Sequence, residues 1–243
     1  MEYRGASVYN QQDFLSNYLK RRERKDSPNN AIEGPIIYEM IGDFFEKNIL
    51  DLGCGDALFG KELLQLGAKS YTGLEGSEQM VELAKSNLQE KNAEILCESM
   101  ETFDYPIGNF DLVTSRFAIH YVSDVNQLFQ QIYNTLNANG QFVFSVQHPL
   151  TTSTFASKLS GDKRSNWIVD NYFNDGERKE PWIEKVVVKY HRTIEQYFTS
   201  LTHVGFKVID LREGTPKREH FSNEEEFVRR NRIPVVLAFS CIK

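Results

Sequence analysis

Two glycines set one residue apart follow an apolar run in Ile49-Leu50-Asp51-Leu52-Gly53-Cys54-Gly55. Lacking Cβ atoms, residues 53 and 55 let the backbone turn sharply after a strand and come close to a ligand. Glu75 ends the next such run, Ser70-Tyr71-Thr72-Gly73-Leu74, twenty-four residues beyond Asp51. An acid at that strand tip accepts hydrogen bonds from both hydroxyls of a ribose. A dinucleotide fingerprint wants a third glycine at position 58, where this chain has Leu58. The ligand implied carries an adenosine but no pyrophosphate on the helix N-terminus.

Proton transfer has three candidates, His120, His148 and His191. Imidazole titrates near neutrality and can take a proton from a hydroxyl or ammonium acceptor. His148 follows the fifth strand, at the edge where open α/β sheets bind ligands, and ranks first, with His120 next. The alternative for each is a ring that only satisfies backbone groups. An aromatic-rich stretch supplies Trp167, Tyr172, Phe173, Arg178 and Trp182. These either enclose a partly apolar acceptor with a polar or anionic group, or form a small satellite core. Arg192 either fixes an acceptor carboxylate or pairs with a nearby acid.

The elements that must position these residues follow from apolar periodicity. Helices are predicted over 11–25 and 32–45, then a strand at 48–52. Helices near 57–67, 77–90 and 124–137 alternate with strands at 70–74, 93–97, 110–114 and 141–146, with Asn139-Gly140 as a tight turn before the last. That order is α/β, a parallel sheet covered on both faces. The rhythm fails from Pro149 to about Lys185, a stretch too long to be an unstructured loop, so a lid is expected. It returns at Val186-Val187-Val188. Thr193 with Gln196 forms a capping box for a helix that Gly205 ends, and Ser222 with Glu225 caps another. Pro234 to Ile242 is the final strand. One domain is expected: an N-terminal helical lid over 1–47, a cofactor-binding core over 48–148, a substrate lid over 149–185, and the rest of the sheet over 186–243.

Composition narrows the partners. The net charge of −6 and pI near 5.5 give no global attraction to phosphate backbones, so nucleic acid is disfavoured. The basic runs at 20–25 and 229–232 have acids alongside and suit solvated helix faces. Cys54, Cys97 and Cys241 lack metal-site spacing, so no metal is expected. No apolar leader and no stretch of about 18 apolar residues is present, which makes a cytoplasmic protein away from membranes the expectation.

Taken together, LDLGCGDALFG at 50–60, YTGLEGSEQM at 71–80, ILCESMETF at 95–103 and FDLVTSRFAIHYVSD at 110–124 resemble the class I S-adenosylmethionine-dependent methyltransferases. The resemblance implies a Rossmann-like, seven-stranded, mostly parallel sheet with its last strand antiparallel. It also implies S-adenosylmethionine as cofactor. Asp51, Gly53 and Gly55, with Cys54 between the glycines, would line its methionine end; Glu75 would hold the ribose, and Gly76 and Ser77 would pass the adenine. Ser99 stands where the family usually has an acid facing the adenine amino group, with the Met100 backbone beside it, and Arg116 and Phe117 would lie over the cofactor. VQHPL at 146–150 and KYHRT at 189–193 resemble small-molecule enzymes with an N-terminal lid and an insertion after the fifth strand. There Tyr18 and Arg21, backed by Tyr9 and Arg22, would grip the cofactor carboxylate, unless Tyr18 is helix packing and Arg21 a surface charge.

The implied activity is methyl transfer to an oxygen or nitrogen of a small molecule. The sulfonium is already electrophilic, so aligning a lone pair is the main task, worth roughly 7–11 kcal/mol. An RNA or protein methyltransferase fits less well: Thr114-Ser115-Arg116-Phe117 replaces the Asn/Asp-Pro-Pro-aromatic signature of amine-methylating nucleic-acid enzymes. A non-catalytic binder of the cofactor ranks third, because the aromatic lid is intact.

Overall fold

The computed structural model describes residues 2–158 and 166–243, so part of the expected 149–185 insertion, residues 159–165, lies outside the described residues. The chain opens with a short strand, β1 (Glu2–Arg4), a 3₁₀ turn over Gly5–Asn10, and helix α1 (Gln12–Arg22). A π-helical turn, Asn29–Glu33, runs into α2 (Gly34–Ile41), which Gly42 ends at φ +63°. The alternating core follows: β2 (Asn48–Leu52), α3 (Leu58–Gln65), β3 (Ser70–Glu75), α4 (Glu78–Asn87), β4 (Ala93–Cys97), β5 (Phe110–Arg116), α5 (Val125–Thr135) and β6 (Leu136–Gln147). After it come the single-turn α6 (Pro149–Thr152), a hairpin of β7 (Gly176–Trp182) and β8 (Lys185–His191), α7 (Ile194–Val204), β9 (Lys207–Arg212), α8 (Glu224–Arg230) and β10 (Val236–Ile242).

Seven strands form one sheet in the order β4-β3-β2-β5-β6-β10-β9, parallel from β4 to β6, with β10 antiparallel to both neighbours. Both faces are covered, so successive strand residues alternate between two cores rather than between core and water. Ile49, Leu112 and Val143 pack with Ile37, Ile41 and Leu63 under α2 and α3. Leu50, Val113, Phe142 and Phe144 pack with Phe129, Tyr197 and Leu201 under α5 and α7. The register aligns Leu52 with Leu74 and Asp51 with Thr114, which brings the carboxyl ends of β2, β3 and β5 to one edge.

Three local expectations change. Val186–Val188 does not join the main sheet: β8 pairs with β7 and, in parallel, with β1, making a separate three-stranded sheet at the N-terminal lid. Its hairpin turns on Ile183 and Glu184, both left-handed at φ +47° and +61°, without the Asn or Gly that advertises such a turn. Asn139-Gly140 is not a free turn but a bulge in β6, where pairing jumps from Phe110–Leu136 to Leu112–Gln141. Asn223, not Ser222, caps α8; the Ser222 hydroxyl instead donates to Asp26 at 2.7 Å. The Thr193–Gln196 capping box and the Gly205 stop at φ +113° are present.

Candidate functional site

The glycine turn is stitched to the tip of β3 by two backbone bonds, from Gly53 N–H and Cys54 N–H to the Leu74 carbonyl, at 2.8 and 2.9 Å. Gly53 and Gly55 sit at φ +76° and +60°, a region that disfavours side chains. A Cβ on Gly53 would also lie 2.5 Å from Ala118 Cβ. A further glycine sets the helix in place: a Cβ on Gly60 would be 2.2 Å from Tyr71 Cζ, so only glycine lets α3 lie flat on that ring. Tyr71 in turn donates to Asp51 Oδ2 at 2.7 Å, and Thr114 donates to Oδ1 at 3.0 Å. Burial nevertheless raises the Asp51 carboxyl above its usual range, against these bonds.

Glu75 is buried at the same edge. Its Oε2 accepts from Gly55 N–H at 3.0 Å and its Oε1 from Ser77 N–H at 2.9 Å. Burial raises this carboxyl as well, and the backbone donors of Ser77, Gly55 and Gly76 pull it back. On the other side of the turn, Arg22 Nη1 pairs with Asp56 at 3.1 Å and lies 3.2 Å from where a Gly55 Cβ would be. Arg116 forks onto the fully buried Glu33, with Nε 3.0 and 3.1 Å from its two oxygens, and stacks over Phe59. Phe117, next along, is held at φ +51° by bonds from its N–H to the Ser145 carbonyl and hydroxyl.

These groups face one cavity of about 1450 Å³, larger than the roughly 300–1,000 Å³ of a single small-ligand site. One end is walled by Asp51, Gly53, Cys54, Gly55, Glu75, Gly76, Ser99, Met100 and Arg116. The other is walled by the lid, where Trp182 meets Phe14, Tyr18 and Tyr9 edge-on at 5.3, 5.7 and 6.3 Å. The buried Lys189 pairs with the buried Glu180, which also takes Lys158, and its ammonium lies 4.6 Å from the Trp182 ring and 5.2 Å from Tyr121. Asn10 closes the rim, accepting the Ser77 hydroxyl at 2.7 Å.

The sequence-predicted residues divide accordingly. Tyr18, Arg21, Trp167, Trp182 and His120 line the cavity with the glycine-turn group. His148, His191, Tyr172, Arg178, Arg192 and Ser77 do not. His148 caps α6, its Nδ1 accepting from Leu150 N–H at 3.2 Å while Nε2 donates to Glu213 at 2.9 Å. His191 is spent likewise, accepting from the Thr152 hydroxyl at 2.8 Å and donating to the Tyr172 carbonyl at 2.9 Å. Arg178 donates to the Ser153 carbonyl at 3.0 Å, and Arg192 to those of Val122 and Ser123 at 2.8 and 2.7 Å. Ser77 is fully buried as the cap of α4. Arg21 is exposed, and its neighbour Arg22 is the cation at the glycine turn. The basic runs, exposed at Arg21, Arg24 and Lys25, also border the cavity, together with Arg22, Arg229 and Arg230. Sequence reasoning passed over Glu180, Lys189 and Gln147; a lysine inside the apolar run of β8 was the available signal for the first two. Among the described residues, no cluster of three or more His, Cys, Asp or Glu side chains suits a metal ion.

Residues 50–144 match the family model described as a methyltransferase domain. An uncharacterized protein of Haemophilus influenzae is 30% identical over 227 residues, covering 85% of each chain. A malonyl-[acyl-carrier protein] O-methyltransferase of Legionella pneumophila is 26% identical over 72% of this chain and 63% of its own. The crystal structure of an S-adenosylmethionine-dependent methyltransferase from Mesorhizobium loti superposes with a TM-score of 0.81 at 29% identity, over 88% of this chain and 99% of that one.

S-adenosylmethionine is the cofactor so implied, and the residues present fit it. Each Glu75 oxygen has spent one lone pair on the backbone and keeps another for a hydroxyl. The glycine turn leaves room that a Cβ would fill, and Arg22 offers a cation beside it. The chain is a methyltransferase that uses this cofactor, and it belongs to the class I S-adenosylmethionine-dependent family.

Proposed function

We propose that the enzyme transfers the methyl group to an oxygen or nitrogen of a small-molecule acceptor. The observation that carries this is the two-ended cavity: a glycine turn and Glu75 at one end, an aromatic wall of Trp182, Tyr18 and Tyr121 at the other, in a volume with space for two small ligands. In this proposal Glu75 holds the ribose, and Gly53, Gly55, Arg22 and Tyr18 hold the amino-acid end. Gly76, Ser99 and Met100 flank the adenine. The bound cofactor supplies an electrophilic methyl on a sulfonium. The protein's work is then to exclude water and align the acceptor, with no covalent protein intermediate. Cys54 suits no nucleophilic role, because burial raises its thiol well above the usual range.

The Legionella relative's name, an O-methyltransferase, supports transfer to oxygen. No helix among the described residues is long and apolar enough to cross a membrane, and all three cysteines are free thiols, which suits a cytoplasmic reaction. The test begins with calorimetric titration by S-adenosylmethionine and by S-adenosylhomocysteine. Methyl-labelled cofactor is then incubated with cell extract split into small-molecule, RNA and protein fractions. Label entering the small-molecule fraction supports the proposal. Label confined to RNA or protein, or binding of both compounds without any transfer, refutes it.

A further inference from the structure

His120 and Gln147 hold no part of the cofactor in the proposed arrangement, yet both line the cavity. His120 lies in the 3₁₀ turn Ile119–Tyr121 just after β5, and Gln147 is the last residue of β6. Because β5 and β6 are parallel neighbours, both residues arrive at the carboxyl edge of the sheet, beyond Phe117. The Gln147 backbone N–H points at His120 Nδ1, 3.4 Å away. A backbone N–H can only donate, so Nδ1 is the bare nitrogen of the ring. Burial, with Lys189 and Arg192 nearby, keeps the ring uncharged. Its one proton therefore sits on Nε2, which has no hydrogen-bond partner among the described residues. The Gln147 side-chain carbonyl, Oε1, is buried and also lacks a partner among the described residues. A buried polar atom left unmatched, as Gln147 Oε1 is, is uncommon and calls for a reason.

We propose that His120 Nε2–H and Gln147 Oε1 form an uncharged donor–acceptor pair that recognises a hydroxyl or carboxamide on the methyl acceptor. His120 is then a recognition residue and not a general base, because the N–H nitrogen facing the acceptor has no basic lone pair and the bare nitrogen, Nδ1, faces the Gln147 N–H. The acceptor atom consequently arrives with its lone pair available, as in a neutral amine or an ionised acid. This rests on the reading that the acceptor occupies this cavity beside the cofactor.

Two measurements test it. Histidine ¹⁵N spectra of the wild-type protein should show His120 as the neutral Nε2–H tautomer down to pH 6. An Nδ1–H tautomer, or a charged ring at that pH, overturns the proposal without any variant. Next, the protein saturated with S-adenosylhomocysteine is titrated with benzamide, which can satisfy both atoms, and with N,N-dimethylbenzamide, which cannot donate. Benzamide should bind at least fivefold more tightly. Gln147→Leu should remove that preference, and His120→Phe should weaken both amides alike, each leaving S-adenosylhomocysteine affinity within twofold; Gln147→Glu should favour benzamidine over benzamide. A Gln147 that only packs the strand end would shift the melting temperature and leave these preferences alone. Absence of a benzamide preference in wild type, or its survival in Gln147→Leu, refutes the pair. Failure of wild type to bind S-adenosylhomocysteine is a different result, which refutes the cofactor site itself.

Discussion

Replacing Glu75 with alanine removes a carboxylate whose two oxygens each accept one backbone N–H, at 3.0 Å from Gly55 and 2.9 Å from Ser77. Two lone pairs remain for the ribose hydroxyls. Hydrogen bonds to a charged partner contribute about 1.5–3 kcal/mol each, and water entering the truncated site recovers part of that. The expected loss of cofactor affinity is about 1–3 kcal/mol, roughly 5- to 150-fold in Kd. Removal also strips two donors of their acceptor, so a drop in folding stability of about 1–3 kcal/mol should accompany it. The assay is calorimetric titration with S-adenosylhomocysteine and its 2′-deoxy analogue on wild type and variant, alongside thermal melts. If Glu75 meets the ribose, the deoxy penalty seen in wild type shrinks in Glu75→Ala. An unchanged affinity in a folded variant, or an undiminished deoxy penalty, refutes the placement. Glu75→Gln should be little better, because its amide NH₂ would face one of the same two N–H donors.

The pH dependence follows from the raised carboxyl of Glu75. Hydroxyl donors favour the ionised form, so affinity should be flat at neutral pH and fall as pH drops through a value above the ordinary 4.5; calorimetry across pH should find that limb reduced in Glu75→Ala. Stability of the ligand-free protein runs the other way: the contribution of raised Glu75 and Asp51 is fully present below the ordinary carboxylate range and is lost as pH rises through their raised values, which denaturant titrations against pH would reveal. Arg22→Ala should weaken S-adenosylhomocysteine binding tenfold or more, from the loss of about 1.5–3 kcal/mol of charged interaction, whereas Arg21→Ala should stay within twofold; the reverse ranking would place the cofactor's acid end elsewhere. Gly60→Ala drives a methyl into the Tyr71 ring and should cost about 1–3 kcal/mol in urea denaturation. Glu33→Gln leaves Arg116 charged, largely buried and unmatched, a cost of about 3–5 kcal/mol by the same measurement.

Local chemistry made much of the molecule legible. Strand runs bounded by turn residues, the glycine spacing at 53 and 55, the strand-tip acid and the Thr193–Gln196 box are statements about neighbouring residues, and each appears in the structure where the sequence places it. Such features are decided by backbone conformation and hydrogen bonds within a few positions, which is why one sequence suffices to find them. The three histidines could not be sorted that way. Whether a ring faces a ligand depends on who else claims its nitrogens, and the claimants, Glu213 for His148 and Tyr172 for His191, lie 65 and 19 residues away. The choice of Arg22 over Arg21 is a matter of which way α1 rolls against the glycine turn. The joining of β1 to β8, 184 residues apart between Glu2 and Val186, is a matter of which sheet edge was open. Sequence by itself determined the alternating core, its glycine turn and its acid, because they are local. Tertiary structure alone decided which polar side chains remain to meet a ligand, because burial and competition for hydrogen bonds are settled only when distant segments pack.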